Sequence, residues 1–126
     1  MKLIGRVIYS GKVEGIALVT TQPISFLGGV DPATGKVTEK GHELQGQSVK
    51  GRVLVFPHGK GSTVGSYILY RLSKEGLAPS AIINEECETI VAVGAIISSI
   101  PCVDRIDLSK IQPDARVRIE GSVVHF

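Results

Sequence analysis

The sequence predicts an α/β domain: a mixed β-sheet or barrel-like core with one or two helices. Three observations point to it. An apolar run, Val53-Leu54-Val55-Phe56, breaks at Pro57 and passes through a glycine-spaced loop into a helical pattern, and a second apolar run, Ser80-Ala81-Ile82-Ile83-Asn84, follows. Arg116-Val117-Arg118-Ile119-Glu120 alternates charged and apolar residues, the period of a half-exposed strand. Trp is absent and aromatics are only 5% of residues, while small and β-branched aliphatics abound, which suits a sheet-containing core.

Taken in order, Leu3 to Tyr9 reads as a first strand, and Gly11-Lys12-Val13-Glu14-Gly15 turns it towards a second, Ile16 to Thr20, as an opening hairpin. Gln22 to Gly35 is a long segment rich in turn formers that nevertheless carries Ile24, Phe26 and Leu27. A loop with such residues tucks under its domain or meets a partner. Gly28-Gly29 permits a sharp reversal, and Asp31, ahead of Pro32, either starts a turn or faces a ligand. Lys36 to Gln47 reads as polar surface loop with at most one short strand, and His42 and Glu43 show no recognisable spacing.

Between the two apolar runs, Val64, Ile68 and Leu72 recur at four-residue intervals and share a helix face. Arg71 and Lys74 in the last turn, then Gly76 and Pro79, mark its stop. Strand, helix and strand make a β-α-β unit, whose strands run parallel with a right-handed crossover. Glu85, Glu86 and Glu88 precede Ile90 to Ile97, a run predicted to be a buried helix, with a buried strand as the alternative. The acids either begin that helix or supply an acid or base to a site. Pro101 ends the run, Cys102-Val103 gives a very short strand, and Arg116–Glu120 and Ser122–Phe126 close the sheet as an antiparallel hairpin.

The chemistry is expected where the first apolar run meets the helix. Pro57-His58-Gly59-Lys60-Gly61 delivers Ser62 and Thr63 to a predicted first helical turn, where unpaired N–H groups and the aligned peptide dipoles favour anions. Gly59 and Gly61 let a ligand approach the main chain, and Lys60 between them adds a charge. The pattern is not the phosphate loop G-x-x-x-x-G-K-[ST], because Lys60 precedes Gly61. A serine N-cap after a glycine turn is the alternative reading of Ser62.

With 126 residues the chain is expected to form one domain, 1–126, large enough to fold without staples. Cys87 and Cys102 lack C-x-x-C spacing, which favours a reducing, cytoplasmic setting. With His42, His58 and His125 scattered, no metal site is expected in the chain. The formal net charge of +2 arises from 14 basic and 12 acidic residues without a basic run, so nucleic-acid binding gains no support. No apolar stretch approaches the ~20 residues of a membrane span.

Gly28-Gly29-Val30-Asp31-Pro32 with Thr34-Gly35, then Gly59-Lys60-Gly61-Ser62, then Ile82-Ile83-Asn84-Glu85 through Val93-Gly94-Ala95 to Ile100-Pro101 together resemble the small subunits of aconitase X type dehydratases across nearly the whole chain. The resemblance implies a swivelling β/β/α domain, similar to the mobile domain of aconitase and of isopropylmalate isomerase. It implies a heterodimer with a large subunit that carries a 4Fe-4S cluster, none being bound by this chain, whose two cysteines cannot satisfy one. The pair would dehydrate (R)-5-phosphomevalonate to trans-anhydromevalonate 5-phosphate in the archaeal mevalonate pathway of isoprenoid biosynthesis, cluster iron acting as Lewis acid on the leaving hydroxyl.

The family's proton acceptor is a serine in the glycine-rich loop, a position Ser62 matches, with Gly59, Lys60, Gly61 and Thr63 lining the substrate site. One departure stands out. In the aconitase relatives an arginine follows that serine, whereas Thr63, Val64 and Gly65 follow here. The assisting cation is then Lys60, another element or the large subunit. Lys60 favours a phosphorylated substrate. The alternatives are a dehydratase for a hydroxy acid such as cis-3-hydroxyproline, and a non-catalytic phosphate-binding or assembly module. Partner contact is expected around Phe26, Leu27 and the glycine loop.

Overall fold

The computed structural model describes residues 1–126. Its eight strands are β1 (Lys2–Ile4), β2 (Arg6–Tyr9), β3 (Lys12–Val19), β4 (Val53–Phe56), β5 (Ala81–Asn84), β6 (Cys102–Asp104), β7 (Arg116–Glu120) and β8 (Val123–His125). They pair in the order β1-β8-β7-β3-β4-β5-β6-β2. Strands β3 to β6 are parallel, with Leu18 opposite Leu54, Leu54 opposite Ile82 and Ile82 opposite Cys102. The remaining pairs are antiparallel.

The two ends of this order, β1 and β2, are joined by Gly5 alone, so the sheet curls back and closes like a barrel. Only glycine fits there. A Cβ on Gly5 would collide with the Asp104 carbonyl and stand 2.7 Å from Val103 Cγ1. The stretch expected as one strand, Leu3 to Tyr9, is therefore two strands serving opposite edges. The opening hairpin does not form. Lys12 to Gly15 extends β3 instead of turning, pairing with β7 up to Ile16 before β3 pairs with β4 from Ala17.

The period-two alternation of strands sorts the core into two layers. Leu54, Phe56 and Ile82 face the helices, while Val53, Val55, Ala81 and Ile83 face Val117, Ile119 and Val124 of the antiparallel layer. Burial on both faces is why the central strands read as unbroken apolar runs. The β-α-β unit is as expected, Val53 to Phe56 lying parallel to Ala81 to Asn84. The C-terminal hairpin also forms, Ile119 facing Val124.

Helix α2 (Gly65–Lys74) follows a distorted turn, α1 (Phe26–Gly29), and precedes α3 (Thr89–Ser98). The buried stripe of α2 is Gly65, Leu69 and Leu72. Val64 is exposed and Ile68 only half-buried, which corrects the Val64, Ile68, Leu72 face. Val64 is the N-cap, outside the helix proper, and strict four-residue steps drift off a 3.6-residue face, whereas Gly65, Leu69 and Leu72 keep to it. Glu88 caps α3 by accepting from the Ile90 and Val91 N–H groups at 2.7 and 2.9 Å. That helix is not buried all round: Val91 and Ala95 face the core, but Val93, Ile96 and Ile97 face outward. The polar stretch Lys36 to Gln47 also departs from a surface loop, since Val37, His42 and Leu44 are buried.

Arg6 pins β2 to β6 by a bidentate pair with the fully buried Asp104, at 3.0 and 2.7 Å, and the Cys87 N–H donates to the same carboxylate at 2.8 Å. Burial by itself raises the Asp104 carboxyl, but the bonds from Arg6 and Cys87 and the Arg6 and Arg105 charges outweigh it and hold the carboxyl below its ordinary value. A depressed carboxyl stabilises the fold above its unfolded value, near pH 4, and the contribution is lost as pH falls through the folded value. Asp104→Asn is accordingly expected to cost about 1.5 kcal/mol at pH 7, the low end for charged hydrogen bonds because Arg6 is partly in water. Urea unfolding checks this. The gap between wild type and variant should narrow as pH falls below 4, and a gap independent of pH would exclude the charge as its cause.

Candidate active site

The loop between β4 and α2 is anchored on three sides, and its apex is left open. At its base the Asn84 side-chain amide donates to the Phe56 carbonyl at 2.9 Å, while the Glu85 and Glu86 N–H groups donate to the Pro57 carbonyl at 3.0 and 3.2 Å. Asn84 is fully buried, and its Oδ1 has no partner. On one flank Ile24 forms a bridge, its N–H donating to the His58 carbonyl at 3.3 Å and its carbonyl accepting from Lys60 N–H at 3.1 Å. On the other flank Gly59 lies so close to the cap of α3 that a Cβ there would overlap the Glu88 carboxylate and reach 2.6 Å from Val91. The His58 ring Nδ1–H donates to the Gly59 carbonyl at 2.7 Å.

Beyond these anchors Lys60, Gly61, Ser62 and Thr63 are exposed, while Gly59 is buried. Gly61 takes φ +88°, the left-handed region glycine favours, and a Cβ there would meet Ser25 Oγ at 2.5 Å. The N–H groups of Gly61, Ser62 and Thr63 make no hydrogen bond within the chain. Ser62 is not the N-cap. That position is Val64, and Ser62 and Thr63 form a tight lead-in in which Gly65 N–H donates to the Ser62 carbonyl and Ser66 N–H to the Thr63 carbonyl, at 2.9 and 3.2 Å. The expectation that Ser62 and Thr63 occupy the first helical turn is off by this lead-in. Ser62 Oγ accepts from Val64 N–H at 3.2 Å. Three open donors, one donor already on the hydroxyl and the positive end of α2 make this apex suited to an oxyanion or to an alkoxide on Ser62.

Lys60 is not a free cation. Its Nζ lies 3.2 Å from Glu39 Oε2, an exposed pair of the sort worth at most about 1 kcal/mol, so an anionic ligand can displace the carboxylate at little cost. Nothing in a polar loop marks Glu39 as the neighbour of Lys60. Asn84 and Glu88 had a signal, a polar residue closing an apolar strand and an acid opening a helix, but their action on the glycine loop depends on the fold. Asp31 takes the turn role, accepting from Ala33 N–H at 2.9 Å and Thr34 Oγ1 at 3.1 Å. Glu43 is also engaged: the Thr20 hydroxyl, then the Thr21 N–H at 2.6 Å, hold its carboxyl below the ordinary value.

The model for the aconitase X swivel domain matches residues 2–125. This chain belongs to the aconitase X swivel-domain family. It is 57% identical over 121 residues to the phosphomevalonate dehydratase small subunit of Thermococcus sibiricus, covering 96% of this chain and 93% of the relative. It is 63% identical over 109 residues to the protein of that name in Methanosarcina acetivorans, covering 86% and 76%. The crystal structure of Thermococcus kodakaraensis aconitase X in its holo-form superposes with a TM-score of 0.97 at 54% identity, over 99% of this chain and 97% of that one. The β/β/α layering described above is thus the aconitase X swivel fold.

An iron-sulfur cluster does not fit this swivel domain. No group of three or more His, Cys, Asp or Glu is arranged to hold a metal ion. The chain's two cysteines, with sulfurs 4.0 Å apart, are half of the four thiolates such a cluster takes, and the hydrogen bond with Cys87, then burial, push the Cys102 thiol up. No helix is long and apolar enough to cross a membrane.

Proposed function

We propose that residues 1–126 form one swivel domain that acts as the small subunit of a hydro-lyase dehydrating (R)-5-phosphomevalonate to trans-anhydromevalonate 5-phosphate, with Ser62 as proton acceptor. The observation that carries the reading is the likeness, at 57% and 63% identity over most of both chains, to proteins named for that activity. The loop geometry supports it from the side of chemistry. Ser62 stands exposed beside open backbone donors, where its alkoxide is stabilised and where negative charge developing on a substrate carboxylate meets the same dipole.

Substrate binding falls to Gly59, Lys60, Gly61 and Thr63. Gly59 sets the height of the loop on Glu88, Gly61 and Thr63 contribute unpaired N–H groups, and Lys60 exchanges Glu39 for a phosphate oxygen. A small subunit implies a larger one, and the 4Fe-4S cluster is assigned to that partner, this chain having no donor set for it. Water is kept from Ser62 only when the partner covers the apex, so the isolated chain is inactive.

The test is turnover by the reconstituted pair, assayed anaerobically with both candidate substrates. Faster turnover of 5-phosphomevalonate than of cis-3-hydroxyproline is expected. Preference for hydroxyproline would replace the substrate, and no turnover of either would leave a binding or assembly module.

A further inference from the structure

The outward face of the helical layer carries a surface that the fold itself does not use. Helix α3 has no charged residue from Thr89 to Ser98, yet Val93, Ile96 and Ile97 are 42, 50 and 43% exposed. Opposite them, near the start of α2, Tyr67 is 70% and Val64 46% exposed. The two helices leave between them a groove of about 320 Å³, lined chiefly by Val64, Tyr67, Ile90, Val93 and Ile97. Adjoining aliphatic side chains left open to water mark an interaction site. Phe26, expected at the partner surface, is buried against Phe56 and unavailable, whereas Leu27 beside the first turn of α2 is exposed.

We infer that the α2–α3 groove is the docking surface for the large subunit, which seats an uncharged, apolar segment against Val64, Tyr67, Val93 and Ile97. The inference rests on the two-subunit reading above and names the face that the reading leaves open. The groove begins at Thr63, the residue after Ser62, so a chain that closes over the Ser62 apex reaches it without a gap. Its lining has no Lys, Arg, Asp or Glu, which selects an apolar partner surface over a nucleic acid or an acidic peptide. A second copy of this chain is a poorer occupant. Seated there, it would lie across Ser62 and close the site with a chain that brings no cluster ligands.

Hydrogen exchange on the wild-type chain, alone and with its large subunit, tests this without perturbing the fold. Exchange across 63–67 and 89–97 is expected to slow at least tenfold in the complex. The double variant Val93→Asp/Ile97→Asp, whose sites are exposed, is expected to weaken assembly at least a hundredfold. Excess large subunit should restore its kcat, since Val93 and Ile97 lie on α3, outside the Gly59–Thr63 loop assigned to substrate. Assembly with unchanged exchange in both segments would overturn the inference, as would wild-type affinity in the double variant. A self-dimer protected over these segments that persists in the complex would overturn it too. The two readings fail separately. Protection without turnover of 5-phosphomevalonate would sink the substrate assignment and keep the docking surface, and turnover without protection would do the reverse.

Discussion

Ser62→Ala in the assembled enzyme is expected to lower kcat on the order of 10³-fold, the scale of losing a positioned general base. The chain itself should barely notice. Ser62 is exposed, and the one hydrogen bond of its side chain, from Val64 N–H at 3.2 Å, lies in a turn ahead of the N-cap, so the stability change should stay under about 1 kcal/mol. Thermal unfolding of the free chain and turnover by the pair, measured on one preparation, separate the two effects. A variant that assembles, melts like wild type and still turns over near the wild-type rate would remove Ser62 from the chemistry and leave it a turn-forming residue. Ser62→Thr sharpens the test, because it keeps a hydroxyl while adding a methyl group at an exposed apex.

Phe56→Ala is expected to cost about 4 kcal/mol, in the range for deleting a large aromatic from a closed core. Phe56 is fully buried at the end of β4, its ring meeting Phe26 edge-on with centroids 6.1 Å apart. The carbonyl of this residue is also the one that the Asn84 amide holds, so a relaxed backbone here moves the base of the Ser62 loop. Denaturant unfolding of the free chain reads the first effect, and KM of the assembled enzyme reads the second. Destabilisation below about 1 kcal/mol would mean that neighbours collapse into the cavity and that the Phe26–Phe56 contact is replaceable.

How much of the site was legible follows from how local each part is. The glycine spacing, the helix after it and the parallel strands around it are short-range patterns that single out the loop from Gly59 to Thr63, while the role proposed for Ser62 comes from the family resemblance. The bracket around that loop is not short-range. Ile24 and Asn84 stand 35 and 25 residues from Gly59, measured as differences in residue number, and reach it only because α1 and β5 fold against β4. The Lys60–Glu39 pair is likewise a meeting of two loops, each polar for its own reasons.

The opening hairpin failed for a related cause. Lys12 to Gly15 has the composition of a turn, but Val13 finds Ile119 opposite and the antiparallel ladder with β7 outweighs local turn preference. The reading of α3 shows the converse. An uncharged run forms the expected helix, yet apolarity here is not burial, since Val93, Ile96 and Ile97 stay exposed.

By itself, then, the sequence determined the α/β class, the β-α-β unit, the closing hairpin and the loop where chemistry is sought, since each depends on residue periodicity and turn chemistry within a few positions. Only the tertiary structure decided that the sheet closes at Gly5, that Asn84, Ile24 and Glu88 hold the Ser62 loop, and which apolar residues stay outside. Those outcomes depend on contacts between distant segments, where packing and hydrogen-bond satisfaction in three dimensions override what any short stretch prefers.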